Sequence, residues 1–325
     1  ISQRGSSQFG KNLRDQRSRS VYVFQREYAT VDPALVEFVG TDEATTCVGI
    51  VVRSRRRPLL PHLDSPKVVD IGITQMLSLV LDRNSDCILD VHIVGAFEDA
   101  SPQCTKIIET LEERGGNFHI QTLHVLGHNT RWDSEGNAYP IFTGLLVETS
   151  TGSVNPARFD STSRIPDEIV RRIRVCSSHE DPSWTGRLLE TYDTQSDRFV
   201  IAPCCWTMRQ FRIASTLIEL SDPEILLSCS TSPSAEGPNF VDSIRRARAC
   251  ERNLTPLFME CAASLNHFSA GVTIVFGQTP SLQSNPVYSR GLQVEVGQGE
   301  SSVLCMDLHH KVLAIPELAI LLTDV

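Results

Sequence analysis

Cys47 ends the polar run Gly40-Thr41-Asp42-Glu43-Ala44-Thr45-Thr46 and opens the β-branched stretch Val48-Gly49-Ile50-Val51-Val52. After Arg53-Ser54-Arg55-Arg56-Arg57, too charged for a core and suited to a hairpin tip, the chain returns as Pro58-Leu59-Leu60-Pro61-His62-Leu63-Asp64. A turn centred between Ser54 and Arg55 places His62 directly opposite Cys47, on the same face and with Cβ atoms about 5 Å apart. A thiol and an imidazole that close can act as nucleophile and base, because the His lowers the thiol pKa and supplies a thiolate to attack a carbonyl. Asp64 or the Thr41 hydroxyl can orient the ring from its other nitrogen, and backbone N–H groups of Thr46 to Val48 can hold an oxyanion. The two prolines predict an edge strand for the returning segment, and a slip of one residue would turn His62 to the other face. A cysteine at a strand start is also commonly just a small buried hydrophobe, so spacing alone leaves both readings open.

The elements that must position this pair are short. Apolar runs bounded by turn residues predict strands at Val21 to Phe24, Val36 to Val39, Cys47 to Val52, Ile88 to Val94, Ile120 to Val125, Ile141 to Val147 and Arg198 to Ile201. Helical spacing predicts helices at Val68 to Asp82, opened by Ser65-Pro66, and at Ser101 to Arg114, closed by Gly115-Gly116. Shorter helices are expected at Pro166 to Val175 and, behind the cap Ser221-Asp222-Pro223-Glu224, at Ser221 to Leu227. Strands at hairpin spacing mixed with helices predict an α/β (α+β) fold: a mixed, largely antiparallel β-sandwich or sheet with flanking helices. Residues 1–20, rich in Ser, Arg and Gln, are expected to form a disordered or truncated leader. Residues 21–250 form the main domain, and residues 251–325, whose texture changes to Gly, Ser, Gln and Val, are left as an unassigned C-terminal extension.

Composition narrows the function classes. The 325 residues are 41% apolar and 21% charged with a net charge of -9, the profile of an ordinary globular protein. An acidic balance argues against a dedicated nucleic-acid binder, which needs a clustered basic surface. The most apolar windows, Ile71 to Leu81 and Val312 to Leu322, fall short of the roughly 20 residues of a membrane span. Ten scattered cysteines behind no secretory signal fit reduced thiols in the cytoplasm or nucleus. No glycine-rich nucleotide-binding motif occurs. Cys204-Cys205 lacks the spacing of a zinc site, and His92, His119, His124, His128 and His309-His310 form no constellation; His92 reads as a structural histidine.

Several ordered segments carry a resemblance that spacing does not supply. Val21 to Tyr28, Gly40 to Cys47, His62 to Pro66, Val91 to Phe97, Ile201 to Thr207 and Leu227 to Glu236 together resemble the protein N-terminal asparagine amidohydrolase family in a plant-like form, over about Val21 to Arg246. The pattern is also similar to the wider Cys-His deamidase superfamily. The resemblance implies Cys47 as nucleophile, His62 as base, and Thr41 as the hydroxyl partner, with Asp64 beside it as a further catalytic candidate. It implies hydrolysis of an N-terminal Asn side chain to Asp with release of ammonia, priming a protein for arginylation and N-degron degradation, with no cofactor and no metal. Selecting a chain terminus needs a carboxylate for the α-ammonium; Asp42, Glu43 and Glu236 are candidates, with Thr46 and Ser65 as further substrate contacts. The expected partners are proteins or peptides that begin with Asn, and a monomer is favoured. Two alternatives stay open: a Cys-His deamidase acting on internal Gln or Asn, and a catalytically dead binder of N-terminal Asn.

Overall fold

The computed structural model of the chain describes residues 19–53, 58–80, 88–98, 102–114, 117–160, 162–164, 168–178, 186–200, 204–206, 208–249, 272–276, 291–296, 300–307 and 311–313. The expected leader, apart from residues 19 and 20, lies outside the described residues, as does most of the region beyond Cys250. The chain divides into two compact units, the first holding residues 1–168, 184–197 and 229–238.

Among the described residues the first unit contains three sheets, the smallest a hairpin of Thr130–Trp132 (β8) with Ala138–Pro140 (β9). The four-stranded sheet runs β1-β3-β10-β11, from Ser20–Tyr22 (β1), Phe38–Thr41 (β3), Leu145–Glu148 (β10) and Ser153–Pro156 (β11). The larger includes, in order, Leu189–Asp193 (β12), Glu27–Thr30 (β2), Pro58–Leu63 (β5), Val48–Arg53 (β4), Leu89–Phe97 (β6) and Phe118–Leu126 (β7). Its central pairs are antiparallel, while β12 with β2 and β6 with β7 are parallel. The mixed α/β sandwich expected from the sequence is therefore what the chain forms.

Alternation along β4 and β5 divides the two faces of the larger sheet. Val48, Ile50, Val52, Leu59 and Leu63 join one apolar cluster with Val69, Ile73, Met76 and Leu77 of helix α1 (Pro66–Val80) and Ile107 and Leu111 of helix α2 (Pro102–Glu113). The helical spacing of those apolar side chains gives α1 and α2 one buried face each. Burying each large aliphatic side chain stabilises the unit by roughly 1.5 to 3 kcal/mol. The residues between them, Gly49 on β4 and His62 on β5, face the other way, towards Thr41 of β3 and Leu145 of β10. The side chains of Thr41 and His62 thus meet between the larger and the four-stranded sheet.

Two expectations about the hairpin are corrected. The strand holding His62 is interior, flanked by β2 and β4, and not an edge. Pro61 is accommodated by an interruption in the ladder: β4 pairs with β5 at Val48↔Leu63, Gly49↔His62, Val52↔Leu59 and Arg53↔Pro58, with no pair across Leu60 or Pro61. A proline has no N–H to give there. The register also makes Gly49, not Cys47, the partner of His62. The shift is two residues, an even number, so the parity of faces within the paired residues is the one expected.

The second unit, residues 169–183, 198–228 and 239–325, is carried by helices Glu168–Ser178, Met208–Glu219 and Asp222–Cys229 and a further helix over residues 240–249. Ser221 and Glu224 form the expected cap, with Glu224 accepting from the Ser221 N–H at 2.8 Å. Cys204–Trp206 pairs antiparallel with Val272–Phe276, followed by Gly291–Val296, Glu300–Asp307 and Lys311–Leu313 in a meander.

Candidate active site

Thr41, at the end of β3, is fully buried, and its single hydroxyl has two close polar neighbours. Thr41 Oγ1 lies 2.7 Å from the Val23 carbonyl and 2.7 Å from His62 Nδ1. A carbonyl only accepts, so the hydroxyl proton goes to Val23 and the hydroxyl oxygen accepts from His62 Nδ1–H. That assigns the tautomer: Nε2 carries the lone pair. Nε2 is buried and makes no hydrogen bond. Burial is the main cause that lowers the His62 pKa to about 4, so the ring is neutral at physiological pH.

Cys47 directly precedes β4, whose first residue, Val48, pairs with Leu63 of β5 and Gly95 of β6. The Cys47 carbonyl accepts from Ala96 N–H at 2.8 Å. The residue reaches solvent in part, yet its thiol is enclosed: burial, and after it the charges of Asp64 and Glu236, push the thiol pKa up. Thiol and imidazole are therefore both neutral at rest. The sequence pattern suggests a thiol lowered by its histidine; burial here raises it instead.

The candidate carboxylates have different partners. Asp42 is buried and accepts from Tyr22 Oη at 2.5 Å, from Phe159 N–H at 2.7 Å and from Arg164 Nη2 at 3.1 Å on both oxygens. Burial pushes its carboxyl up and Arg164 opposes that shift. Glu43, at a positive φ of 61°, pairs with Arg164 Nη1 at 2.5 Å. Asp64 pairs with Arg26 Nε at 2.7 Å and accepts from Gln25 Nε2 at 3.1 Å, so the ring of His62 is oriented by Thr41 and not by Asp64. Ser65, which leads into α1, keeps its Oγ buried without a hydrogen-bond partner.

The segment from Ser230 to Glu236 comes back to the loop that precedes Cys47. Ser232 Oγ donates to Thr45 Oγ1 at 2.9 Å, and the hydroxyls of Thr46 and Thr231 are 2.8 Å apart. Glu236 accepts from Ser230 Oγ, and its charge bears on the Cys47 thiol. Gln103 of α2 donates to the Thr46 carbonyl. Among the described residues no three His, Cys, Asp or Glu side chains are grouped as a metal site would require.

A thiol, a neutral imidazole with a bare Nε2 and a hydroxyl behind its Nδ1 can perform acyl transfer on an amide. Comparison with known proteins narrows the family. The sequence model of the protein N-terminal asparagine amidohydrolase family matches residues 11–250. This chain belongs to that family. A protein of Arabidopsis thaliana named protein N-terminal asparagine amidohydrolase is 58% identical over 250 residues, covering 71% of this chain and 72% of the relative. Relatives of the same name from Mus musculus and Homo sapiens are 31% and 29% identical over 235 residues, covering 69% of this chain and 72% of each. Thr41, Cys47, His62, Asp64 and Glu236 all fall inside the matched span.

Within this amidohydrolase framework some residues that shape the site were invisible to spacing. Gly49 is needed because a Cβ there would sit 2.9 Å from the Thr41 methyl. Arg164, which engages both Asp42 and Glu43, is a single basic residue far along the chain with no motif around it. Only the glycine inside a β-branched run offered a signal, as a point of close approach.

Proposed function

We propose that the chain hydrolyses the side-chain amide of asparagine at a protein's N-terminus, releasing ammonia and leaving aspartate. The observation that carries this reading is the relay from Val23 through Thr41 to His62, which leaves Nε2 as a buried, neutral base. Cys47 Sγ attacks the amide carbon while its proton passes to Nε2; backbone N–H groups at Thr46 to Val48 receive the oxyanion. The imidazolium then gives that proton to the departing nitrogen, which leaves as ammonia, and a thioester remains. A water, giving its proton to Nε2, adds to the thioester, and collapse returns the thiol and the carboxylic acid. Atoms balance as amide plus water to acid plus ammonia.

Glu236 is the carboxylate we assign to the substrate's α-ammonium. Its charge bears on the Cys47 thiol, and its own segment meets the loop before Cys47 through Ser232 to Thr45 and Thr231 to Thr46. Thr46 and the unpartnered Ser65 hydroxyl are further substrate contacts in this reading. The test is a peptide panel: one beginning with Asn, its N-acetylated form, one with internal Asn and one beginning with Gln. Ammonia is expected from the first alone, and release from internal Asn or Gln would replace this reading by a general side-chain deamidase. Binding of the Asn-initiated peptide without any ammonia would instead mark a catalytically dead binder.

The product, a protein beginning with Asp, is a substrate for arginylation, so the reaction feeds N-degron degradation in the cytoplasm or nucleus. In cells lacking this protein a reporter beginning with Asn is expected to be stabilised and one beginning with Asp is not. Equal lifetimes of the Asn reporter with and without the protein would remove the pathway assignment.

A further inference from the structure

Asn129, remote from Cys47 in sequence, is 0% exposed and engages its whole side chain with backbone groups. Its Nδ2 donates to the Phe142 carbonyl at 2.8 Å and to the Gly95 and Ala96 carbonyls at 3.1 Å each. Its Oδ1 accepts from Phe142 N–H at 2.8 Å. One side-chain amide fastens two backbone segments together.

Both segments grip the nucleophile's loop. Ala96 N–H donates to the Cys47 carbonyl at 2.8 Å, and the Thr143 carbonyl, next to Phe142, accepts from Ala44 N–H at 2.8 Å. The Gly95–Ala96 segment is a β-bulge: the register of β6 with β7 shifts between Val94 and Phe97, and Gly95 and Ala96 have φ of 126° and 40°. A non-glycine residue at positive φ persists only where its surroundings hold it. At Gly95 a Cβ would lie 2.4 Å from the Cys47 carbonyl oxygen, so the bulge is pressed directly against the nucleophile's backbone. Bulges beside reactive groups serve to aim them.

We infer that Asn129 is a positioning residue for Cys47: by clamping the Gly95–Ala96 bulge to the Phe142–Thr143 segment, it fixes the approach of the sulfur to His62 Nε2 and the direction of the N–H groups that follow. The inference rests on the deamidation reading for its reaction, but the clamp itself can be read on the thiol. Asn129→Asp sets a carboxylate oxygen against the three carbonyl oxygens that now receive Nδ2 and leaves them without their donor. A displacement of about 1 Å at the reacting atom costs on the order of 100-fold in rate.

The test measures kcat and KM on an Asn-initiated peptide, and the rate at which iodoacetamide alkylates Cys47, in wild type, Asn129→Asp, His62→Ala and the double variant. In Asn129→Asp kcat is expected to fall on the order of 100-fold with KM within about twofold. Alkylation is expected to slow in the same variant, with no further slowing when His62 is already Ala, because what is lost is the pairing of the two. A folded Asn129→Asp with wild-type kcat and alkylation, a loss confined to KM, or equal slowing in both His62 backgrounds would overturn the inference. Asn129→Ser, which keeps one donor, is read by the same measurements and criteria where the Asp variant does not fold. If wild type releases no ammonia the deamidation reading falls, while the alkylation comparison still decides the clamp.

Discussion

Thr41 has one hydroxyl proton and two polar neighbours, and the Val23 carbonyl can only accept, so His62 must donate from Nδ1. Thr41→Val keeps the shape and removes the acceptor, so kcat is expected to fall by about 10- to 100-fold, the scale of a misoriented general base, while Thr41→Ser retains most activity. Steady-state kinetics of the two variants check this. With His62 held neutral down to about pH 4, kcat/KM is expected to stay flat at neutral pH and to drop as pH falls through about 4. A limb near the ordinary imidazole value would contradict the buried, neutral base. Glu236→Gln is expected to raise KM for Asn-initiated peptides by about 10- to 100-fold with little change in kcat, the loss of one charged hydrogen bond. Cys47 and His62 were legible as candidates from residue type and motif, but the pairing of Asp42 and Glu43 was not, because it is made by Arg164, which no local pattern ties to them.

At the scale of elements, the β4–β5 hairpin carries His62 and begins directly after Cys47. The strands and the parity of their faces were legible from alternation and from Cys47 and His62 themselves. The register was read two residues short, because the Arg- and Ser-rich connection carries no Asn-Gly or Asp-Gly signal to set its length, and Arg53 pairs with Pro58. The interior place of β5 was hidden by its prolines, whose cost is absorbed by a local break in one ladder. Gly49, opposite His62, leaves the space that Thr41 fills, and a Cβ there would stand 2.9 Å from the Thr41 methyl. Gly49→Ala is therefore expected to displace Thr41 and lower kcat by about 10-fold, the scale of disturbing one general base. Combining it with Thr41→Ser, which keeps the hydroxyl and removes the methyl, restores activity. Failure of that pairing to recover would place the role of Gly49 elsewhere.

For the whole molecule, the sandwich and its two flanking helices follow from the apolar spacing of α1 and α2, which is why their positions were legible. β2, β11 and β12 were not anticipated: all three are short, and β2 and β12 pair with partners distant in sequence, while β11 turns back on β10. Ile73, fully buried between α1 and the larger sheet, anchors that layer, and Ile73→Ala is expected to cost about 2 to 5 kcal/mol in chemical denaturation. Stability should also depend on pH through His62, whose pKa is lowered from 6.5 to about 4 in the fold. Between those values the unfolded chain binds the extra proton, so this contribution is present above pH 6.5 and is lost as pH falls towards 4. The most direct measurement is ammonia release from an Asn-initiated peptide by wild type and by Cys47→Ser, with both shown to be folded by circular dichroism. Release by wild type and its loss in Cys47→Ser is the expected result; a folded serine variant that releases ammonia at the wild-type rate would contradict the account.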